Sequence, residues 1–358
     1  MAFRLLMTAD AVGGVWTFAL DLARGLAPHG VATTLAVMGP APGASQLAEA
    51  RQVPGLRLVP VDGPLDWLAE SPASLRAAAR AVAALAAGHD AVQLNTPALA
   101  ALAGFPVPAV VVSHSCLATW WRAMRGGPLP PDFAWRAALH GEGLSAASVA
   151  VAPTRAHALA TAEVYGGKVV PGCVWNGRHP AGLRAAPQLY AVFTAGRLWD
   201  EGKDVATLDR AAARLRFPVM AAGPVAGPNG ARAALSNARP LGPLPAGEVA
   251  AWLARRPVFA SAARYEPFGL AVLEAAQAGC ALVLADIPTF RELWEDAAEF
   301  VSPGDAAGFA QALDRMVADR ARRARFGALA RARSRRYGVA RMAAGMHALL
   351  REGRRVAA

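Results

Sequence analysis

Short apolar runs rich in Val, Leu and Ala alternate with longer helical stretches along the whole chain, and this alternation constrains the fold more than any other feature. Residues 3–8, 32–38, 56–61, 91–95, 109–114 and 148–152 read as strands, with helices at 15–27, 74–87, 133–146 and 155–165. A strand that is apolar at consecutive positions keeps neither face in water. It needs helices on both sides, and the crossovers that supply them make neighbouring strands parallel. A looser stretch at 178–188, with Pro180, Gly182 and Pro187, interrupts the pattern. The alternation then restarts, with strands at 189–195, 218–222, 257–260, 281–285 and 299–301 and helices at 203–214, 246–255, 270–278 and 305–318. Two final helical stretches, 321–335 and 339–352, have no strand between them.

The expected fold is therefore α/β: two Rossmann-like domains facing across a cleft, with the C-terminal helices packing back towards the first domain. The first domain spans 1–177, the linker 178–188, the second domain 189–335, and a crossing C-terminal segment 336–358. At 358 residues the chain is long enough for two separate cores. In doubly wound sheets the ligand sits beyond the carboxyl ends of the strands, so the loops following the strands are where chemistry is sought.

Composition narrows the classes further. No run of about 18 apolar residues suggests a membrane span, and the first ten residues lack the basic start and small-residue cleavage site of a secretory signal. Cys116, Cys173 and Cys280 are scattered, which fits neither a disulfide framework nor a metal knuckle, so a cytoplasmic protein is expected. The formal net charge of +11 is local. From Arg315 onward there are 13 arginines against two acids, whereas the rest of the chain holds 24 basic and 24 acidic residues. Such a segment is either a solvated helix face or a surface for anionic lipid. Nucleic acid is not expected as a partner, because the aromatic interleaving of a single-strand groove is absent.

Three loops carry chemistry-bearing residues. In the run 264–274, a strand ends, Glu266 follows in a loop, and a helix starts near Gly269, so its first amides favour a phosphate. Glu274 lies about one and a half turns into that helix, within reach of a ribose. Glu266 and Glu274 would be about 12 Å apart on a continuous helix. That exceeds the ~5 Å or ~6.5–9.5 Å spacing of hydrolase carboxylate pairs, so separate ligand-holding roles are preferred. In the second loop, 195–203, Arg197 and Lys203 can converge on a diphosphate, the one as a planar fork and the other as a point charge. A salt-bridged helix cap is the plainer alternative. The third, 10–16, places Gly13 and Gly14 at a strand-to-helix turn, where close backbone approach to a charged ligand is possible. It is no dinucleotide fingerprint, and no acid follows the second strand.

The run Glu266-Pro-Phe-Gly-Leu-x-x-x-Glu274 resembles the Glu-x7-Glu signature of family 4 retaining glycosyltransferases, which have the two-Rossmann GT-B fold. The stretch 279–292 is similar to the family's next strand and loop, and the resemblance extends over nearly the whole chain. It implies transfer of a sugar from a nucleoside diphosphate sugar to a carbohydrate, lipid-linked or small-molecule acceptor. Glu266 would lie beside the donor sugar and Glu274 would hold the ribose, with Phe268, Gly269 and Leu270 completing the donor site. Arg197 and Lys203 would stabilise the leaving diphosphate, and Gly13 and Gly14 would face the donor. One departure stands out: the family's order is Lys-Gly, whereas here Gly202 precedes Lys203.

His114 ends an apolar strand, and similar transferases place a histidine there beside the donor sugar; a structural histidine is the alternative. Trp120 and Trp121 lie where such enzymes accept their second substrate, although core packing or a membrane-facing patch explains them equally. Asn176-Gly177 is similar to the family's hinge. No cofactor and no metal are expected, since no histidines share ligand spacing and no Asp-x-Asp loop is present. The rival readings are a sugar-nucleotide epimerase or phosphorylase on the same scaffold, and a non-catalytic membrane-recruited binding protein.

Overall fold

The computed structural model describes residues 3–182 and 186–356, with side chains of the last helix described up to residue 353. Contacts divide the chain into two compact units, Met1–Gly177 with Val339–Ala358, and Arg178–Gly338. Of the segment read as a linker, residues 183–185 lie outside the described residues. Arg178, its first residue, is fastened to the second unit, where its amide donates to Tyr337 O at 3.3 Å.

The first unit is built on seven parallel strands: β1 (Phe3–Asp10), β2 (Val31–Met38), β3 (Arg57–Val61), β4 (Ala91–Leu94), β5 (Ala109–Val112), β6 (Val149–Ala152) and β7 (Gly172–Cys173). They lie in the order β3-β2-β1-β4-β5-β6-β7. The winding reverses between β1 and β4, the crevice where doubly wound sheets bind ligands. Its helices are α1 (Gly14–Leu26), α2 (Ala44–Arg51), α3 (Pro72–Ala86), α4 (Ala98–Leu102), α5 (Leu117–Met124), α6 (Pro131–Ala146) and α7 (Arg155–Val164). Leu5 and Met7 of β1 face one apolar cluster and Leu6 the other, the period of two expected for a strand covered on both faces.

The second unit repeats the plan. Its strands are β8 (Val192–Ala195), β9 (Val219–Ala222), β10 (Arg239–Gly242), β11 (Val258–Ser261), β12 (Leu282–Ala285) and β13 (Ala298–Val301). The order β10-β9-β8-β11-β12-β13 puts its reversal between β8 and β11. Its helices are α8 (Val205–Ala212), α9 (Ala246–Ala254), α10 (Leu270–Ala278), α11 (Pro288–Trp294), α12 (Ala306–Ala318) and α13 (Arg320–Ser334).

The two C-terminal helices part company. α13 stays with the second unit and packs on α10, whereas α14 (Val339–Val356) packs on α1 of the first. Val339, Met342, Ala343, Met346 and Leu350 of α14 are buried in the same cluster as Leu22 and Leu26. Spaced by three or four residues, they form the apolar stripe that fixes a helix against a neighbour. The arginines of the basic segment divide likewise. Arg323 is 2% exposed and donates to Val317 O, Arg315 and Arg322 pair with Glu299, and Arg320, Arg325, Arg331, Arg335 and Arg336 are exposed.

Candidate functional site

In the second unit the loops after β8 and β11 flank the sheet's reversal point. At the end of β8 the amide of Gly196 donates to Ala222 O at 3.0 Å, and the chain turns through Arg197 to Asp200. Asp200 caps a 3-10 turn, Glu201–Lys203, with Oδ1 accepting from the Gly202 amide at 3.0 Å. Its other oxygen accepts from the Arg197 guanidinium at 2.8 Å, and Arg197 also lies 5.6 Å from the Trp199 ring centre. The Lys203 ammonium donates to Glu266 Oε2. Two further contacts lock this arrangement. Gly202 O accepts the amides of Arg264 and Tyr265 at 2.9 and 3.1 Å, and the Thr289 hydroxyl donates to Glu266 O at 2.6 Å. Lys203 and Glu266 are thus brought together, and Arg197 is tied to the same turn through Asp200.

The inverted Gly-Lys order has a local counterpart. Asp204, directly after Lys203, sits at φ 44° and ψ 45°, the left-handed region a glycine would adopt without strain. The lysine is therefore followed directly by a left-handed residue, an Asp whose backbone would suit a glycine.

Further along, Gly269 caps α10 at φ 89°, so a side chain there would be strained, and its Cβ would meet the Phe290 ring at 3.1 Å. No side chain caps α10, which leaves its opening amides, from Leu270 onward, for an anion. Leu270 is half-buried. Phe268 is turned into the core, 3% exposed and edge-on to Tyr337 with ring centres 6.0 Å apart. Glu274 is held by Arg178, whose Nε and a terminal nitrogen reach Oε1 at 2.8 and 2.7 Å. The two glutamates hence engage different cations, as separate ligand-holding roles require.

In the first unit, Asp10 closes β1 and its Oδ1 accepts the amides of Val12 and Gly13 at 2.9 and 3.2 Å. Those two amides are consequently engaged by a carboxylate. Gly13 is extended, at φ −148°, and Gly14 opens α1 on the exposed side. His114 follows β5, half-buried, with Nε2 3.0 Å from Asn95 Oδ1 and its ring edge-on to Phe18 at 4.4 Å. Burial, reinforced by His157, lowers the His114 pKa to about 3, so the ring is neutral at pH 7. Trp120 and Trp121 lie on α5, both half-buried. Arg125 stands 5.4 Å over the Trp120 ring, and Trp121 meets Phe133 edge-on at 5.6 Å. These rings pack on neighbours of their own unit.

Residues 12–175 match the family model described as "Glycosyltransferase Family 4", and residues 233–333 match "Glycosyl transferases group 1". The chain belongs to the family 4 glycosyltransferases. The activity is glycosyl transfer, and the GT-B fold is shared with solved structures. A sucrose-phosphate synthase from Thermosynechococcus elongatus matches with TM-score 0.79 and 17% identity, covering 98% of each chain. The Anabaena protein HepE, in complex with UDP and glucose, matches with TM-score 0.76 and 18% identity, over 98% of this chain and 99% of that one. WaaG, a glycosyltransferase involved in lipopolysaccharide biosynthesis, matches with TM-score 0.72 and 14% identity, over 97% and 99%. No curated protein matches the sequence significantly.

Several residues that hold the candidate residues of each unit in place were overlooked in the sequence. Asp200 was legible as a carboxylate three positions after Arg197, and Asn95 as a polar residue ending an apolar strand. Arg178 and Thr289 carry no sequence signal, because each meets its partner across the fold.

Proposed function

We propose that this glycosyltransferase acts with retention of anomeric configuration and without a metal ion. Retention is what the resemblance to family 4 transferases implies, and the diphosphate-holding role is carried by one observation: Lys203 and Glu266 meet where the loops after β8 and β11 adjoin, with Arg197 bound to the same turn. Arg197, Lys203 and the opening amides of α10 hold the diphosphate and stabilise its charge as the sugar leaves. Preorganised donors aimed at a developing anion commonly contribute more to such catalysis than any other effect. Glu266 holds the donor sugar and Glu274 the ribose, while His114 bonds a sugar hydroxyl. The departing phosphate oxygen takes the proton of the acceptor hydroxyl, so no separate base is required. Cations of the protein supply what a metal supplies in other transferases.

The acceptor is a carbohydrate, a lipid-linked sugar or a small-molecule alcohol. Among the described residues no helix is long and apolar enough to cross a membrane. The exposed arginines of α13 favour peripheral contact with anionic lipid, at roughly 1 kcal/mol per cation near the surface.

The test is transfer by Arg197→Ala, Lys203→Ala and Glu266→Ala, with product anomers assigned by NMR. Each variant folds and loses transfer, and the wild-type product keeps the donor's configuration. Near-normal turnover in all three, or an inverted product, overturns the reading.

A further inference from the structure

We infer that His114 offers its ligand a hydrogen-bond acceptor only, at Nδ1, and that Asn95 is the positioning residue that imposes this state. The inference rests on the proposed place of His114 beside the donor sugar.

Donors and acceptors around Asn95 decide where the ring proton sits. Asn95 lies just beyond β4, and its amide donates to Thr8 Oγ1 at 2.9 Å. Its side-chain Nδ2 donates to Thr8 O at 2.6 Å, and a peptide carbonyl can only accept. The side-chain orientation is thereby fixed, with Oδ1 facing away from Thr8. There Oδ1 receives Gln93 Nε2 at 3.1 Å and faces His114 Nε2 at 3.0 Å. Turning the amide over would set oxygen against oxygen at Thr8. Oδ1 is acceptor-only, so the hydrogen on the His114 contact belongs to Nε2. A neutral imidazole carries one N–H, and Nδ1 keeps its lone pair. Phe18, itself buried, stands edge-on to the ring at 70° and hinders the flip that would exchange the two nitrogens.

Burial keeps the ring neutral over the ordinary pH range, and a proton would also meet repulsion from His157. The specificity consequence is definite. The ligand group at His114 is a hydroxyl that donates, so replacing it with fluorine or an ether oxygen costs as much binding as deleting it. A cationic or Nδ1–H histidine would instead donate, and would retain a contact with the ether.

The test uses the full chain, ligand-free, with 15N-labelled histidine and long-range 1H–15N correlation at pH 7.5, the His114 signals being assigned by loss in His114→Gln. The expected ring is Nε2–H, with Nδ1 unprotonated and no titration down to pH 5. In Asn95→Asp the carboxylate favours the imidazolium, and both ring nitrogens become protonated near neutral pH. In Asn95→Ala the tautomers mix. A wild-type ring protonated on Nδ1, or charged at pH 7.5, overturns the inference whether or not the variants fold. An unchanged tautomer in folded Asn95→Ala removes the role of Asn95. His114→Ala with undiminished transfer would remove the donor-site reading instead, and the two failures are read from different measurements.

Discussion

Arg197 points where it does because two glycines let two strand ends nearly touch. Gly223, after β9, sits at φ 138°, and a Cβ there would lie 1.7 Å from the carbonyl oxygen of Gly196, which immediately precedes Arg197. Real Cβ atoms stay beyond 3.0 Å of such atoms, so Gly223→Ala forces the Gly196 peptide or its own strand end aside. The shortfall is about 1.3 Å, enough to take Arg197 off a bound diphosphate, and losing a charged hydrogen bond costs ~1.5–3 kcal/mol, up to about 100-fold in Kd. Gly230→Ala is the control. It lies at φ 81° with nothing within 4 Å of its would-be Cβ, so it incurs only backbone strain. That strain is ~1–2 kcal/mol, and at ~2–4 °C per kcal/mol it lowers the melting of this unit by several degrees. Calorimetry gives the melting of both variants, and titration gives Kd for whichever nucleoside diphosphate binds the wild type best. Gly230→Ala melts lower and binds normally; Gly223→Ala melts lower still and binds up to about 100-fold more weakly. Equal melting and equal Kd in the two would refute the idea that this glycine contact aims Arg197.

His140 and His157 are buried, and desolvation lowers them to about 3 and about 4. Their folded values lie below the ordinary 6.5, so the unfolded chain binds more protons and stability falls as pH drops from 6.5 towards 4. With His114, lowered to about 3 as well, the three together cost about 6 kcal/mol at pH 5. Urea unfolding at pH 7.5 and 5 measures it, and a flat profile refutes the burial argument. Asp209 is largely buried, and its Oδ1 accepts the amides of Ser236, Asn237 and Ala238 at 3.0, 2.9 and 2.8 Å. Burial would raise its carboxyl, but these donors outweigh burial and hold it below the usual range. Asp209→Ala strands three amides and loses ~3 kcal/mol or more in denaturant unfolding, so a loss below ~1 kcal/mol rejects their role. Asp204→Gly relieves left-handed strain but gives up the bond from the Thr207 hydroxyl, 2.7 Å, so stability changes by less than ~1 kcal/mol and transfer survives. Abolished transfer in a folded Asp204→Gly would show that the turn needs more than a left-handed residue. Glu266→Gln removes the charge facing Lys203, so affinity for the nucleoside diphosphate rises several-fold while transfer is lost; weaker binding contradicts the pairing.

The repeated architecture was legible because its strands are apolar on both faces, which leaves a continuous signal in residues 3–8, 109–114 or 281–285. What escaped lacks that signal. α2 buries only Ala50 and so shows no stripe. β10 is a sheet-edge strand, Arg-Pro-Leu-Gly, whose proline and exposed residues read as loop. α5 was hidden in a stretch dominated by Trp120, Trp121 and the glycines and prolines after them. The same distinction governs the site. Glu266, Glu274, Arg197 and Lys203 stand in local runs that name their chemistry. Asp200, three positions from Arg197, stands in the same kind of local run, whereas the partners Arg178 and Thr289 act through geometry that only the folded chain supplies. The basic C-terminus was legible as a count but not as a surface, since Arg323 is buried and Arg315 and Arg322 are paired with Glu299.

Three cations of the second unit each hold a carboxylate: Arg197 with Asp200, Lys203 with Glu266, and Arg178 with Glu274. A diphosphate competes with Glu266 for the Lys203 ammonium, and a half-buried carboxylate whose pairing is weakened gains from new donors. Sugar hydroxyls are such donors, so the proposed donor answers both halves of the pair at once, whereas phosphate alone answers one. As the sugar departs, the diphosphate gains charge and holds Lys203 more strongly, while Glu266 loses its hydroxyl donors and competes for the ammonium again. A preference for a glycosylated diphosphate over phosphate alone is therefore the expected consequence of this ion pair.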